Sequence, residues 1–255
     1  VIPERISESW QRIAAIARHN TRIRLRDPGQ AISYIVMPMV LMVVLKPLYV
    51  KAVQGGSTQV VTGLLVMFSV FAIAVAGNSI LVERNWQTWD RLRASRATAT
   101  EMLIGKIIPI YVIMTFQQAL LFVYGCFVIG LPVPKDLGYV ALAILVWAFA
   151  LLAVGAALAT VARSSGELGV ISDVGALVLS SMGGALVPLS LMPGWLRAGA
   201  HASPGYWALK MDQAAVANDA RGVLVPAAVL GGLGLLAGVY AVRRLTRGWG
   251  RTRML

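Results

Sequence analysis

The chain has 255 residues, of which 58% are hydrophobic and 13% charged, with 23 Lys and Arg against 11 Asp and Glu for a formal charge of +12. Soluble domains carry roughly 25% charged residues, so this composition points away from them and toward a bilayer. The single cysteine, Cys126, excludes an intramolecular disulfide and a cysteine metal cluster.

Six apolar stretches long enough to cross a bilayer lie near residues 31–50, 58–82, 103–131, 137–162, 168–191 and 222–242. With both ends on one side, 17 of the 23 basic residues fall on that side, and the positive-inside rule makes both termini cytoplasmic. Lys46, Lys51, Lys135, Arg197, Lys210 and Arg221 face the other way. The basic residues flank apolar spans instead of clustering on a polar fold. They therefore read as topology signals and headgroup contacts, with no nucleic acid partner. His19 and His201 fall on opposite sides of the predicted membrane and cannot share a metal.

Residues 1–29 precede the first span, which is read as a retained helix because its polar lead is too long for a signal peptide. Within that lead, Ile6, Trp10, Ile13 and Ile16 follow helical spacing, with Arg5, Glu8, Arg12 and Arg18 on other faces. An amphipathic helix lying along the cytoplasmic interface is expected, either as an anchor or as a docking element for a soluble partner. Asp27-Pro28-Gly29 breaks it, and residues 30–255 follow as a six-span domain. Lys46 is placed to snorkel to the outer headgroups. Asn78 and Ser79 sit near the cytoplasmic end of the second span, where polar groups hydrogen-bond a neighbouring helix or contact a substrate.

The segment from Glu83 to Glu101 is the most polar internal one. Trp86, Trp89 and Leu92 can share one helical face, while Arg84, Asp90, Arg91 and Arg93 carry charge. Its plain reading is a headgroup-lying helix anchored by tryptophans. Its sharper reading is a cytoplasmic lever that inserts into another protein. The third span contains Pro109, Gln117 and Gln118, and Leu131-Pro132-Val133-Pro134 forms a rigid outer turn. A brief cytoplasmic turn from Arg163 to Glu167 precedes the fifth span, which Gly183, Gly184 and Pro188 loosen and Met192-Pro193-Gly194-Trp195 stops. Residues 195–221 are neither a clean span nor a simple loop. Trp195, Tyr206 and Trp207 are interfacial anchors there, and Pro204–Ala217 has helical composition, so a helix on or dipping into the outer leaflet is expected. The last span holds Gly234-x-x-x-Gly238, which permits close helix packing.

No phosphate-binding Gly-x-x-x-x-Gly-Lys-[Ser/Thr] occurs, because Ile107 follows Gly105-Lys106 and Thr100 stands where the first glycine belongs. There is no His-Glu-x-x-His and no intramembrane carboxylate pair, and hence no catalytic residue to nominate. A membrane chain with no energy source of its own and a cytoplasmic lever is suited to work driven by a partner.

Two segments carry a family resemblance. Glu83-Arg84-x-x-x-Thr88-x-Asp90-x-Leu92-x-x-Ser95 resembles the pattern after the second span of ABC type-2 transporter permeases, roughly Glu-Arg-x-x-Gly-Thr-x-x-x-Leu-x-x-Ser-Pro. Met192-Pro193-x-Trp195-Leu196, followed by Ser203-Pro204-x-Tyr206 and Asp212, resembles the family signature between the fifth and sixth spans. Gln87 replaces the usual glycine and Arg96 the usual proline, and the general composition is most similar to the daunorubicin-resistance-like branch.

The resemblance implies an all-α polytopic fold with six spans, an N-terminal interfacial helix, a cytoplasmic coupling helix and an outer re-entrant element. It implies the transmembrane subunit of an ABC exporter in a bacterial plasma membrane, moving an amphipathic or lipid-like cargo: a drug, polyketide, lipid or glycolipid. This chain would bind no cofactor, and ATP and Mg would sit on a separate ATP-binding subunit. That subunit would dock on Glu83, Arg84, Trp86, Thr88, Trp89, Asp90, Arg91 and Leu92, on the N-terminal helix, and on the turn bearing Arg163 and Glu167. A second permease, identical or related, would complete the pathway, for which Phe68, Phe71, Asn78, Ser180 and Met182 are the candidate lining. The competing readings are a gradient-driven secondary transporter, which scarce intramembrane charge disfavours, and a membrane scaffold, which leaves the outer signature unexplained.

Overall fold

A computed structural model of the chain describes residues 2–26, 29–85 and 98–246, and every regular element among them is helical. Helix α1 (Ile2–Arg26) ends in Arg24 and Arg26, basic side chains that suit the partial negative charge of a helix C-terminus. Helix α2 (Gly29–Ala52) contains Pro38 and Pro47. Helices α3 (Gly56–Val70) and α4 (Ala72–Asn85) form one crossing stretch, broken at Phe71. The Ser69 hydroxyl donates to the Val66 carbonyl at 2.7 Å, and such a bond competes with the helix ladder and bends it.

Helix α5 (Ala99–Tyr124) starts with a capping box between Thr98 and Glu101. It continues through a π-helical turn, Gly125–Ile129, and stops at Gly130, whose φ of 80° a side chain would disfavour. Asp136 caps helix α6 (Leu137–Ala159), accepting from the Gly138 N–H at 2.7 Å. Helix α6 lies at the centre of the bundle. Its buried Trp147 donates through Nε1 to Ser69 Oγ at 2.6 Å, so an indole and a hydroxyl deep in the apolar core satisfy each other. Helices α7 (Ser165–Met182), α8 (Gly194–Ala200), α9 (Pro204–Ala217) and α10 (Ala220–Thr246) complete the described chain.

Among the described residues, five helical stretches are long and apolar enough to cross a membrane: Ile32–Ala52, Gly56–Val82, Thr100–Ile129, Leu137–Ala159 and Ala220–Thr246. The expected fifth span, 168–191, is shorter as a helix: α7 ends at Met182, and its 18 residues, about 27 Å, lie at the short end of the ~17–25 residues that cross a hydrocarbon core. The chain turns back because Gly183 lies against the start of α9. A Cβ there would sit 2.5 Å from the Tyr206 amide nitrogen, and Ser203 Oγ donates to the Leu179 carbonyl at 2.7 Å.

Helix α9 is therefore re-entrant. Pro204 and Gly205 border a cavity of about 40 Å³ with Val70, Ile73 and Trp147, which lie midway along the α3–α4 stretch and α6. From there α9 runs to Asn218, whose left-handed backbone (φ 60°) turns the chain into α10. The expected helix over Pro204–Ala217 is present, but its Ala208, Leu209, Met211 and Ala215 are buried in the core. Trp195 is 77% exposed, as suits an interfacial anchor. Tyr206 and Trp207 instead pack edge to face at 5.3 Å, and Trp207 Nε1 donates to the His201 carbonyl at 2.9 Å. The returning segment is stitched to the neighbouring helix ends. Gln59 Nε2 donates to the Gly184 carbonyl at 2.8 Å, Gln213 Nε2 donates to Gln59 Oε1 at 2.8 Å, and Tyr49 Oη donates to the Leu186 carbonyl.

The Gly234-x-x-x-Gly238 motif is used inside the chain. A Cβ on Gly234 would lie 2.7 Å from the Phe149 ring and 3.1 Å from Ala150 Cα, so α10 and α6 approach almost backbone to backbone. The stretch α3–α4 is 78% buried over its apolar window, whereas α2 is 17% buried, which places α2 at the periphery.

Candidate functional site

Helices α1, α4, α5 and α6 and the Arg163–Glu167 turn meet at one end of the bundle. Helix α1 runs alongside the start of α5. Ile13 and Ile16 face α5 and Trp10 is exposed, so the apolar stripe of α1 is partly spent on this packing. At Gly105 the two backbones are close enough that a Cβ would lie 2.8 Å from Ile16 Cβ. One turn earlier, the Glu101 carboxylate gathers four donors. The Thr98 N–H donates at 2.8 Å, Arg12 donates through Nε at 3.2 Å and Nη2 at 3.0 Å, and Ser9 Oγ also donates. Glu101 is 6% exposed, so this ion pair is sheltered on the carboxylate side. The bond to Glu101 holds the Arg12 guanidinium above its ordinary pKa.

Beneath this junction, Ile80, Met102, Leu103, Ala156, Ala159, Ala241 and Leu245 form one buried cluster with Ile16 packed on it. Lys106, also buried, donates to the Ser79 carbonyl at 3.1 Å and ties α5 to α4. Leu168 and Ala162 meet Leu81 of α4 in a neighbouring cluster, which fixes the Arg163–Glu167 turn beside the end of α4. In that turn the Glu167 carboxylate accepts from the Arg163 N–H at 2.8 Å, and Ser164 Oγ accepts from the Glu167 N–H at 3.1 Å. Arg163 and Glu167 are exposed. Trp86, Thr88, Trp89, Asp90, Arg91 and Leu92 lie outside the described residues, as do the side chains of Ile6, Glu83 and Arg84, whose backbone is helical. The flanks of this segment are thus anchored on two neighbouring helices, α4 and α5.

A second feature lies along the flank of the bundle. A cavity of about 240 Å³ is lined by α1 (Arg24, Leu25), α2 (Tyr34, Ile35), α3–α4 (Phe68, Ser69, Ala72, Val75) and α5 (Ile110 to Gln117). Phe71 stacks on Tyr34 at 5.9 Å and meets Phe68 edge-on at 5.9 Å, while Gln117 Nε2 donates to the Tyr34 carbonyl at 2.9 Å. Burial lowers the pKa of Arg24 at the cavity rim.

Of the expected pathway residues, Phe68 lines this cavity and Phe71 packs beside it. Asn78 lies further along α4, its Oδ1 buried without a partner among the described residues. Ser180 is buried in α7, and Met182 packs toward Gly199 near the re-entrant corner. The five therefore do not converge. Sequence reasoning missed Arg24, Tyr34 and Gln117, and it missed Glu101 as the hub joining α1 to α5. The Thr98-x-x-Glu101 capping box was a usable signal for the last. Among the described residues, no three His, Cys, Asp or Glu side chains come together as a metal site.

An all-helical bundle with several apolar crossings, a re-entrant helix and a polar segment braced at one end defines a multi-pass membrane subunit. Residues 11–215 match the family model described as ABC-2 type transporter, and the chain belongs to that family. It is a transmembrane permease component of an ABC transporter, a family that works with cytoplasmic ATP-binding subunits. No curated protein matches the chain significantly.

Proposed function

We propose that this permease serves an ATP-driven exporter and moves an amphipathic or lipid-like cargo out of the cytoplasm or inner leaflet. The end of the bundle carrying α1 faces the cytoplasm of a bacterial cell, with both termini on that side. Residues 1–29 act as the interfacial helix and residues 30–255 as the permease domain. The ATP-binding subunit holds ATP and Mg and docks on residues 83–101, on α1 and on the Arg163–Glu167 turn. Two permeases, identical or related, enclose the pathway.

The observation that carries this reading is the brace around residues 86–97. Lys106 joins α5 to α4, the Glu101 hub joins α5 to α1, and Leu168 joins the Arg163–Glu167 turn to α4. A push on the intervening segment would therefore reach several helices at once. ATP can drive the change only by favouring one arrangement of those helices over the other.

Trp86, Trp89 and Leu92 fill an apolar groove on the ATPase, with Glu83, Arg84, Asp90 and Arg91 orienting the contact by charge. Truncating a buried aromatic anchor costs ~2 kcal/mol or more of binding. Trp89→Ala or Leu92→Asp is expected to abolish export and co-purification of the ATPase while membrane insertion stays normal. Undiminished export by a normally expressed variant would overturn the assignment.

A further inference from the structure

We propose that the cavity between α1, α2, α3–α4 and α5 binds one acidic membrane phospholipid, with its phosphate on Arg24 and one acyl chain inside. The site stands independently of whether the transporter exports, because it rests on the cavity's chemistry alone.

Three features carry the assignment. The interior is apolar and aromatic, with Tyr34, Ile35, Phe68 and Met114 on its walls and no acidic residue among its lining. The rim carries one cation, Arg24, half-buried and without a hydrogen-bond or ion-pair partner among the described residues. A guanidinium withdrawn from water calls for a compensating anion, and its planar fork matches two phosphate oxygens. The opening is apolar too. Phe116 is 64% exposed and Leu25 is 70% exposed, so the mouth faces the hydrocarbon side of the molecule. A soluble anion would satisfy Arg24 but leave these surfaces unfilled.

Size narrows the occupant further. About 240 Å³ is below the ~300–1,000 Å³ of pockets that enclose a whole small ligand. The cavity therefore takes part of an amphiphile, one chain, while the headgroup and second chain stay at the rim and in the bilayer. Long basic side chains at helix ends commonly meet lipid phosphates in this way. The exposed Arg18 and Arg22 of the same helix lack such a cavity and serve as internal controls.

Full-length protein in nanodiscs of mixed phosphatidylglycerol and phosphatidylcholine, examined by native mass spectrometry, tests the site. Wild type is expected to retain one phosphatidylglycerol, with a preference of roughly fivefold over phosphatidylcholine, the value of one basic residue near an anionic surface. Arg24→Gln should erase that preference, whereas Arg24→Lys and Arg22→Gln should keep it. Ile113→Trp, which fills the cavity from α5, should release both lipids. An unchanged preference in Arg24→Gln overturns the proposal. So does displacement of the lipid by millimolar inorganic phosphate, which would indicate a small-anion site. If Arg24→Gln does not fold, loss of preference in Arg24→Lys or retention of lipid in Ile113→Trp overturns it equally.

Discussion

A methyl group at Gly105 probes whether α1 is clamped to α5 or merely lies nearby. The added Cβ would sit 2.8 Å from Ile16 Cβ, 2.8 Å from its Cγ2 and 3.1 Å from the Ile13 carbonyl oxygen. Carbon atoms pack best at about 3.5–4.0 Å, so α1 must withdraw by roughly 0.7 Å or more. Ile16 cannot yield by a rotamer change, because the obstructing Cβ is bonded to its own backbone. In an open helix, replacing Gly by Ala gains about 0.5–1 kcal/mol. Overpacking costs about 1–3 kcal/mol, so the balance at this contact is a loss on the order of 1–2 kcal/mol. That is a five- to thirtyfold shift in a local opening equilibrium. Hydrogen exchange of the α1 amides around Ile13 and Ile16 should therefore accelerate by about that factor in Gly105→Ala. Gly175→Ala is the control, since nothing lies within 4 Å of its Cβ, and it should leave exchange unchanged or slower. If Gly105→Ala behaves like the control, α1 is not clamped at this contact and the brace between α1 and α5 is refuted.

Two further outcomes test the packing within the core of the bundle. Ser69→Ala leaves the Trp147 indole N–H without its acceptor in a buried site, at a cost of about 1–3 kcal/mol, whereas Ser69→Ala with Trp147→Phe removes both partners and should recover part of that loss. Thermal unfolding in detergent reads the difference, and equal losses in the two variants would count against the bond. Gly234→Leu should separate α10 from α6 and lower the yield of folded protein by overpacking, while Gly232→Leu, with open space around its Cβ, should not. Equal tolerance of both, with loss of a larger assembly only in Gly234→Leu, would place the motif between chains instead.

Much of the architecture is legible because its causes are local. Twenty or more apolar residues can do little else than form a helix in hydrocarbon, where each backbone polar group needs an internal partner. The helix over Pro204–Ala217 announces itself by Ser203 as cap, proline at the first helical position and Asn218 at the stop. The end of the fifth span depends on distant contacts as well. Gly183, Gly184 and Pro188 weaken the span locally, and the approach of Gly205 and Tyr206 to Gly183 fixes where the chain diverts.

The candidate site divides along the same line. Trp86, Trp89 and Leu92 can share a helical face by their spacing alone, and they lie outside the described residues. Arg24 appears in the sequence as one of a row of basic residues whose common role is topology. Its separate character depends on Tyr34, Phe68 and Phe116, brought beside it from three other helices.

What the sequence determined by itself is membrane insertion, the helical class and the polar stretch between the second and third spans, since hydropathy and charge act on each segment independently. What tertiary structure alone decided is which glycines are contacts, what the start of α9 packs against and which arginine borders a cavity. Those depend on distances between residues far apart in the chain, and no local pattern encodes them.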